Sequence, residues 1–288
     1  MAVVATGFFD GVHRGHARVI DTLLAEASAR GTESVVVTFW PHPRAVLRQD
    51  ARSLGLLTSQ QEKKRLLLDM GVSRVEVLEF NADFASWTAE RYLSDYVRDT
   101  LGAEAVVLGY DNRLGSDLLL PDQSAALAKR LGLGAAVVPP EYFDSKEISS
   151  TRIRTALLEG RVEDAASMLG RPYMLRGAVV AGNRMGRTIG FPTANLRMYE
   201  PLKVLPAPGA YFTQACVQGR CYPSMTNIDH AGKTETHILG FDEDIYGLDL
   251  AVSFIRRLRD EIRFENFEAL RARLEEDKRI ILLSLREK

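Results

Sequence analysis

Val3-Val4-Ala5-Thr6-Gly7-Phe8-Phe9-Asp10-Gly11-Val12-His13-Arg14-Gly15-His16 is the stretch on which the fold turns. Val3 to Gly7 is an apolar run that reads as a buried strand, and His16 to Arg30 carries apolar residues at helical spacing. His13 and His16 are three apart at the helix entry, so they share one face, one turn apart. A helix N-terminus offers free N–H groups and a partial positive charge. Gly11 and Gly15 let the backbone approach a ligand closely. A strand, a glycine-bearing turn and a helix start together suit phosphates and an adenine packed on bare backbone. Two further readings stay open. A His pair at this spacing can bind zinc, although no third ligand with metal-site spacing is evident. Asp10 can simply cap the turn.

Outward from this stretch the chain alternates. Strands are expected at Ser34–Phe39, Val75–Phe80, Ala105–Tyr110 and Ala135–Val138. Helices are expected at Gln60–Met70, Thr88–Thr100 and Ser124–Leu131, with Ser59 and Glu62 forming a capping box for the first. Strands alternating with helices predict a doubly wound parallel sheet, with ligands beyond the carboxyl ends of its strands. Near residue 171 the texture changes to short strands between Gly, Pro and Asn turns: Met174–Val180, Ala210–Val217, Thr234–Leu239 and Leu248–Phe254. This predicts a small antiparallel barrel, followed by an amphipathic helix at Asn266–Glu276. The expected division is an α/β domain over 1–160, a connector over 161–172 and a barrel domain over 173–288.

The bulk numbers fit that plan. The chain has 288 residues, 46% apolar and 26% charged, which suits two soluble domains. Its net charge of −1 argues against coating nucleic acid or an anionic membrane. No apolar run is long enough to span a bilayer, and the N-terminus lacks a signal-peptide pattern, so a cytoplasmic protein is expected. The two cysteines, Cys216 and Cys221, flank a turn and read as ordinary strand thiols. Oligomeric state is not legible.

The His-x-Gly-His string resembles that of the bacterial bifunctional riboflavin kinase/FAD synthetases. The resemblance continues through Thr38-Phe39-Trp40-Pro41-His42-Pro43, Glu62-Lys63, Gly109-Tyr110-Asp111-Asn112-Arg113-Leu114-Gly115 and Ile148-Ser149-Ser150-Thr151-Arg152-Ile153-Arg154, in the family's order. The last string also makes sense alone: a serine caps a helix whose N–H groups and arginines suit phosphate. Its plainer reading is a capping box with surface arginines. The resemblance implies an FMN adenylyltransferase in the first domain. His13 and His16 would then be catalytic, with Gly7, Phe8, Asp10, Gly15, Asp111, Ser150, Thr151 and Arg154 around the nucleotide. Attack on the α-phosphorus of ATP by FMN needs in-line placement and charge neutralisation more than a strong base. The chain departs from the family pattern at Phe8, usually Asn, and at Asn112 and Leu114, usually aromatic.

The barrel opens on Gly182, Gly186 and Gly190, then Phe191-Pro192-Thr193-Ala194-Asn195. A glycine loop alone is usually a turn. With Phe-Pro-Thr-Ala-Asn it resembles the riboflavin kinase signature. By that resemblance Thr193 and Asn195 hold Mg²⁺ and the ATP phosphates, with Gly182, Gly186 and Arg187 over the nucleotide. Glu235 is similar to the family's catalytic glutamate and would take the proton of the ribityl 5′-hydroxyl. Pro192 and Arg259 are expected on the substrate, Arg259 otherwise being a strand-edge ion pair, and His237 is a structural or pocket residue. The implied small molecules are ATP, riboflavin and FMN. Two alternatives stand beside this reading. One is a riboflavin kinase with an impaired adenylyltransferase half, which Asn112 and Leu114 favour. The other is a flavin-binding regulator without chemistry, which Thr193, Asn195 and Glu235 oppose.

Overall fold

The computed structural model describes residues 1–42, 55–182 and 185–286, the side chains of Met185 and Arg187 excepted. Pro43 of the quoted string, and the expected nucleotide contact of the Arg187 side chain, lie outside what is described. The chain divides into two compact units, Met1–Ser150 and Thr151–Lys288.

In the first unit five strands form a parallel sheet: β1 (Ala2–Thr6), β2 (Glu33–Trp40), β3 (Arg74–Glu79), β4 (Ala103–Gly109) and β5 (Gly134–Val138). Their order is β3-β2-β1-β4-β5, so the winding reverses between β1 and β4. Helices α1 (Arg14–Arg30), α2 (Gln60–Asp69), α3 (Tyr92–Thr100) and α4 (Pro121–Arg130) cover it. Strand alternation sorts the core into two layers. Val3, Ala5 and Val36 pack with Ile20 and Leu23 of α1 and Leu67 of α2. Val4, Val35, Val37 and Leu108 pack with Leu93 of α3 and Leu127 of α4. The capping box is formed, Glu62 N donating to Ser59 Oγ at 3.1 Å and Ser59 N to Glu62 Oε2 at 2.9 Å. A short hairpin, β6 (Tyr142–Phe143) and β7 (Lys146–Glu147), precedes helix α5 (Ser150–Leu158).

The second unit holds a closed six-stranded antiparallel barrel, in the order β10-β11-β12-β9-β8-β13. Its strands are β8 (Tyr173–Val180), β9 (Ala194–Met198), β10 (Gly209–Val217), β11 (Arg220–Ile228), β12 (Thr234–Ile238) and β13 (Asp249–Arg259). Helix α6 (Val162–Leu169) precedes it. Helix α7 (Phe267–Arg286) follows, burying Ile281 beside Phe191, Phe212 and Met225.

Three expectations differ from what is observed. The division falls at 150/151 rather than 160, and the expected connector is an ordered helix of the second unit. Ala207 N donates to Leu157 O at 2.9 Å, and Arg257 reaches Glu159 O at 3.2 Å, so α5 and the α5–α6 turn bond to the barrel. The closing helix runs ten residues past Glu276, because Ile281 continues its buried stripe. The cysteines are joined as a disulfide. Gln218 and Gly219, at φ 49° and 76°, make a two-residue turn that sets Cys216 directly opposite Cys221, with Cα atoms 4.0 Å apart.

Candidate functional site

The first candidate site lies where β1 and β4 end, at the reversal of winding. Asn112, after β4, donates its side-chain amide to Thr6 O at 2.8 Å, tying the two strand ends together. Leu114 is buried in the core. Two of the three departures from the family pattern are thus one backbone anchor and one packing residue.

The loop from Gly7 to His13 is wound tightly: Phe9, Gly11 and Val12 have φ of 53°, 80° and 40°. A branched residue such as valine rarely adopts that region, so other contacts must hold it there. Asp10, 3% exposed, is one of them. Its carboxylate accepts Leu57 N at 3.0 Å, Thr58 N at 3.1 Å and Thr58 Oγ1 at 3.2 Å. Among the readings open for Asp10, the structure favours the turn anchor over a nucleotide contact. Phe8 O accepts Lys63 Nζ at 2.9 Å and Thr38 Oγ1 at 3.0 Å.

His13 is the N-cap of α1, and its Nδ1 accepts the His16 backbone N–H at 3.3 Å. The two imidazoles stack with centroids 3.6 Å apart, and the His16 ring meets the edge of Phe9 at 5.2 Å. Gly15 makes room for this: a Cβ there would lie 3.2 Å from the His13 ring. A Cβ on Gly7 would likewise lie 3.2 Å from the Phe9 ring. Ser150 Oγ donates to Asp10 O at 3.0 Å, so the start of α5 is fastened to the same loop. Thr151 and Arg154 follow in α5 and belong to the second unit. Asp111 follows β4; burial, with Glu147 adding to it, raises its pKa above the usual carboxylate value. Tyr110 is pushed up to about 12 by burial and by Asp111.

The second candidate site is on β9 and β12. Their register sets Glu235 directly opposite Asn195, so both side chains leave the same face. Glu235 pairs with Lys233 at 2.8 Å. Asn195 is 7% exposed, and its Oδ1 is buried with no hydrogen-bond partner among the described residues. The glycine loop lies against the signature. A Cβ on Gly182 would fall 2.2 Å from Asn195 Nδ2, and one on Gly186 would fall 2.2 Å from Phe191 O and 3.5 Å from Thr193 Oγ1. His237 Nδ1 bonds Pro192 O at 2.8 Å, its ring rests on Phe191, and burial lowers its pKa. A cavity of about 440 Å³ opens beside the signature, walled by Pro192, Thr193, Ala194, Thr236 and Phe241.

An unsatisfied amide oxygen and a threonine hydroxyl are the donor chemistry a hard cation takes. Thr193 and Asn195 therefore fit Mg²⁺. Among the described residues no group of three or more His, Cys, Asp or Glu side chains is placed to hold a metal.

Arg259 stands apart from these residues. It is paired with Asp277 of α7 at 2.9 Å, and Arg273 reaches the same carboxylate at 3.1 Å. Asp277 is 1% exposed, so this is a buried ion pair joining β13 to α7 rather than a strand-edge one. Sequence reasoning missed Asp277, which sits in Glu275-Glu276-Asp277-Lys278-Arg279 and looks like solvated helix surface. It also gave Lys63 no role. The available signal was a lysine four residues before Leu67, on the apolar stripe of α2.

Comparison with known proteins follows the two-unit division. The FAD synthetase family model matches residues 1–152, and the riboflavin kinase family model matches residues 169–285. The bifunctional riboflavin kinase/FMN adenylyltransferase of Listeria monocytogenes is 34% identical over 96% of this chain and 90% of its own length. The protein of the same name from Bacillus subtilis is 33% identical over the same shares. A crystal structure of a Streptococcus pneumoniae protein named as a macrolide-efflux protein superposes with a TM-score of 0.90 at 33% identity, covering 97% of this chain and 93% of that one.

Proposed function

The chain belongs to the bifunctional riboflavin kinase/FMN adenylyltransferase family, and from that premise we propose that the unit Met1–Ser150 forms FAD and the unit Thr151–Lys288 forms FMN. The protein uses ATP to phosphorylate riboflavin to FMN, and then to adenylylate FMN to FAD with release of pyrophosphate.

In the adenylyl transfer a phosphate oxygen of FMN attacks the α-phosphorus of ATP. That phosphate is largely dianionic near neutral pH, its second pKa being about 6, so no base is required. The site has to align the reactants and neutralise charge. Because His13 Nδ1 accepts the His16 N–H, its neutral ring carries the proton on Nε2. That nitrogen donates to a phosphoryl oxygen, and His16 stacked beside it supplies a second donor. The start of α1 adds its partial positive charge. Gly7 and Gly15 give the Phe9 and His13 rings their room and, with Phe8, line the nucleotide site, and Ser150 extends the anion site. Asp111 binds the nucleotide from the end of β4.

In the kinase step the ribityl 5′-hydroxyl attacks the γ-phosphorus, and Glu235 accepts its proton. Thr193 and Asn195 hold Mg²⁺, which when bound neutralises charge on the ATP phosphates. Gly182 and Gly186 fold the loop over the nucleotide, and Pro192 walls the flavin side. Arg259 is read as keeping β13 and α7 together, in place of direct substrate contact. The cytoplasm, where ATP is plentiful, is the setting we assign. No helix among the described residues is long and apolar enough to cross a membrane.

The observation that carries the two-site reading is that each unit gathers its own motif: stacked imidazoles capping α1 in one, and Glu235 facing Asn195 in the other. Incubation with riboflavin, ATP and Mg²⁺ tests it. FAD is the expected end product; FMN alone, or no product, defeats it.

A further inference from the structure

We propose that Lys63 is a positioning residue for adenylyl transfer: its ammonium grips the Phe8 carbonyl and so fixes the left-handed turn that delivers His13 and His16. The proposal rests on reading the first unit as the FAD-forming site.

Lys63 is 2% exposed, on the buried face of α2. Core packing does not call for an ammonium there, since burying a charge carries a desolvation cost that an apolar side chain avoids. Asp10 attracts it from the loop, but hydrogen bonding does not require it. Asp10 already accepts Leu57 N, Thr58 N and Thr58 Oγ1, and Phe8 O already accepts Thr38 Oγ1. What the lysine adds is a charge-assisted bond, at 2.9 Å, to the carbonyl immediately before Phe9. The strained residues Phe9 and Val12 follow, and His13 follows them. The ammonium also lies 3.9 Å from the centroid of the Phe8 ring, whose other neighbour is the His42 ring at 3.9 Å. Phe8 is therefore held by main chain and side chain at once.

Among the described residues, the charged and titratable groups around Lys63 are few. Asp10 faces it from the loop, His42 lies beyond the Phe8 ring, and Glu62 beside it on α2 is taken up by the Ser59 cap. Burial lowers the lysine pKa from 10.5 to about 8, with Asp10 opposing the shift. The grip should therefore weaken as pH rises through that value.

The test uses the full chain with Lys63→Met and Lys63→Arg. FAD formation from FMN and ATP is followed between about pH 6 and pH 9.5, a window set by that titration. FMN formation and the melting midpoint are measured on the same preparations. In Lys63→Met the kcat for FAD formation is expected to fall at least about tenfold, the scale of a small misplacement of catalytic groups. FMN formation should stay within about twofold, and the midpoint should hold or rise near neutral pH, because the lowered lysine pKa marks a net cost of burying its charge. The wild-type protein should lose FAD formation above pH of about 8. Lys63→Arg should carry that loss to higher pH, and Lys63→Met should lack the inflexion.

Near-normal FAD formation in Lys63→Met overturns the proposal. So does a loss accompanied by a lower midpoint with the wild-type pH profile retained, which marks an ordinary structural residue. If Lys63→Met loses both activities, the wild-type profile and Lys63→Arg decide, and an alkaline fall unaltered in Lys63→Arg overturns it. Wild-type protein that forms FMN but never FAD defeats the reading of the first unit, and the proposal with it.

Discussion

His16 and Glu235 are the residues whose loss should part the two activities. In the proposed mechanism each is the chemically active member of its site, His16 stacked on His13 in the first unit and Glu235 opposite Asn195 in the second. His16→Ala is expected to lower FAD formation by about 10²-fold or more while leaving FMN formation intact, since it removes a preorganised phosphate donor. Glu235→Gln should lower FMN formation by about 10²-fold or more and spare FAD formation from supplied FMN, since it removes a proton acceptor but keeps the shape. Product analysis by chromatography reads both. Loss of both activities in either variant, with the fold intact, would mean the sites are wrongly apportioned. Lys63 gives a stability signature at the same scale. Its folded pKa lies below its unfolded one, so between pH of about 8 and 10.5 the unfolded chain binds the extra proton. Stability therefore gains from this group as pH rises through that window, and the burial penalty is fully present below it. The penalty is about 3 kcal/mol, from a shift of roughly 2.5 units at 1.36 kcal/mol each. Melting of Lys63→Met against wild type should show an advantage near pH 7 that shrinks towards pH 10. These residues differ in how openly they announce themselves. The histidines sit in an unusual string, whereas Lys63 belongs to a two-residue match, Glu62-Lys63, whose role shows only once its burial is seen.

At the scale of elements, the strands that position the kinase residues are held by close backbone approach and by one buried ion pair. Gly182→Ala places a Cβ 2.2 Å from the Asn195 amide, so Asn195 must move. FMN formation should drop by about 10²-fold, as misplacement of a ligand-holding group does, with FAD formation from FMN unchanged. Steady-state assays of the two steps check this. Asp277→Ala leaves Arg259 and Arg273 facing each other without their carboxylate. The cost of breaking a buried pair is about 3 kcal/mol. Denaturant unfolding of the second unit should show it, and an unchanged midpoint would mean the pair is inert. Most of the parallel strands and their helices were legible, because continuous β-branched runs and a capping box are local signals. Two barrel strands were not recognised as strands. β9 coincides with the Ala194-Asn195-Leu196 end of the signature, and β11 contains Pro223 and begins at the cysteine turn. The disulfide was missed for the same reason: its register follows from the turn conformation at Gln218 and Gly219, which composition does not specify.

For the whole molecule, the proposal of one site in each unit predicts that FMN can pass through solution. A mixture of His16→Ala and Glu235→Gln proteins, given riboflavin and ATP, should therefore form FAD although neither does so alone. A mixture that stops at FMN would mean the product is not shared between chains. The order of motifs along the chain was enough to anticipate a parallel sheet followed by a barrel, and to single out the imidazole pair, the threonine–asparagine pair and the glutamate as candidate site residues. These rest on short-range spacing, which covalent geometry and hydrophobic periodicity translate directly into strands, helix starts and shared faces. The chain's division at residue 150, the anchoring role of Asp10, the burial of Lys63 behind Phe8 and the capture of Arg259 by Asp277 came only with the folded structure. Each depends on partners far apart in sequence, and the balance of desolvation against pairing for a charged group is set by those partners rather than by its neighbours along the chain.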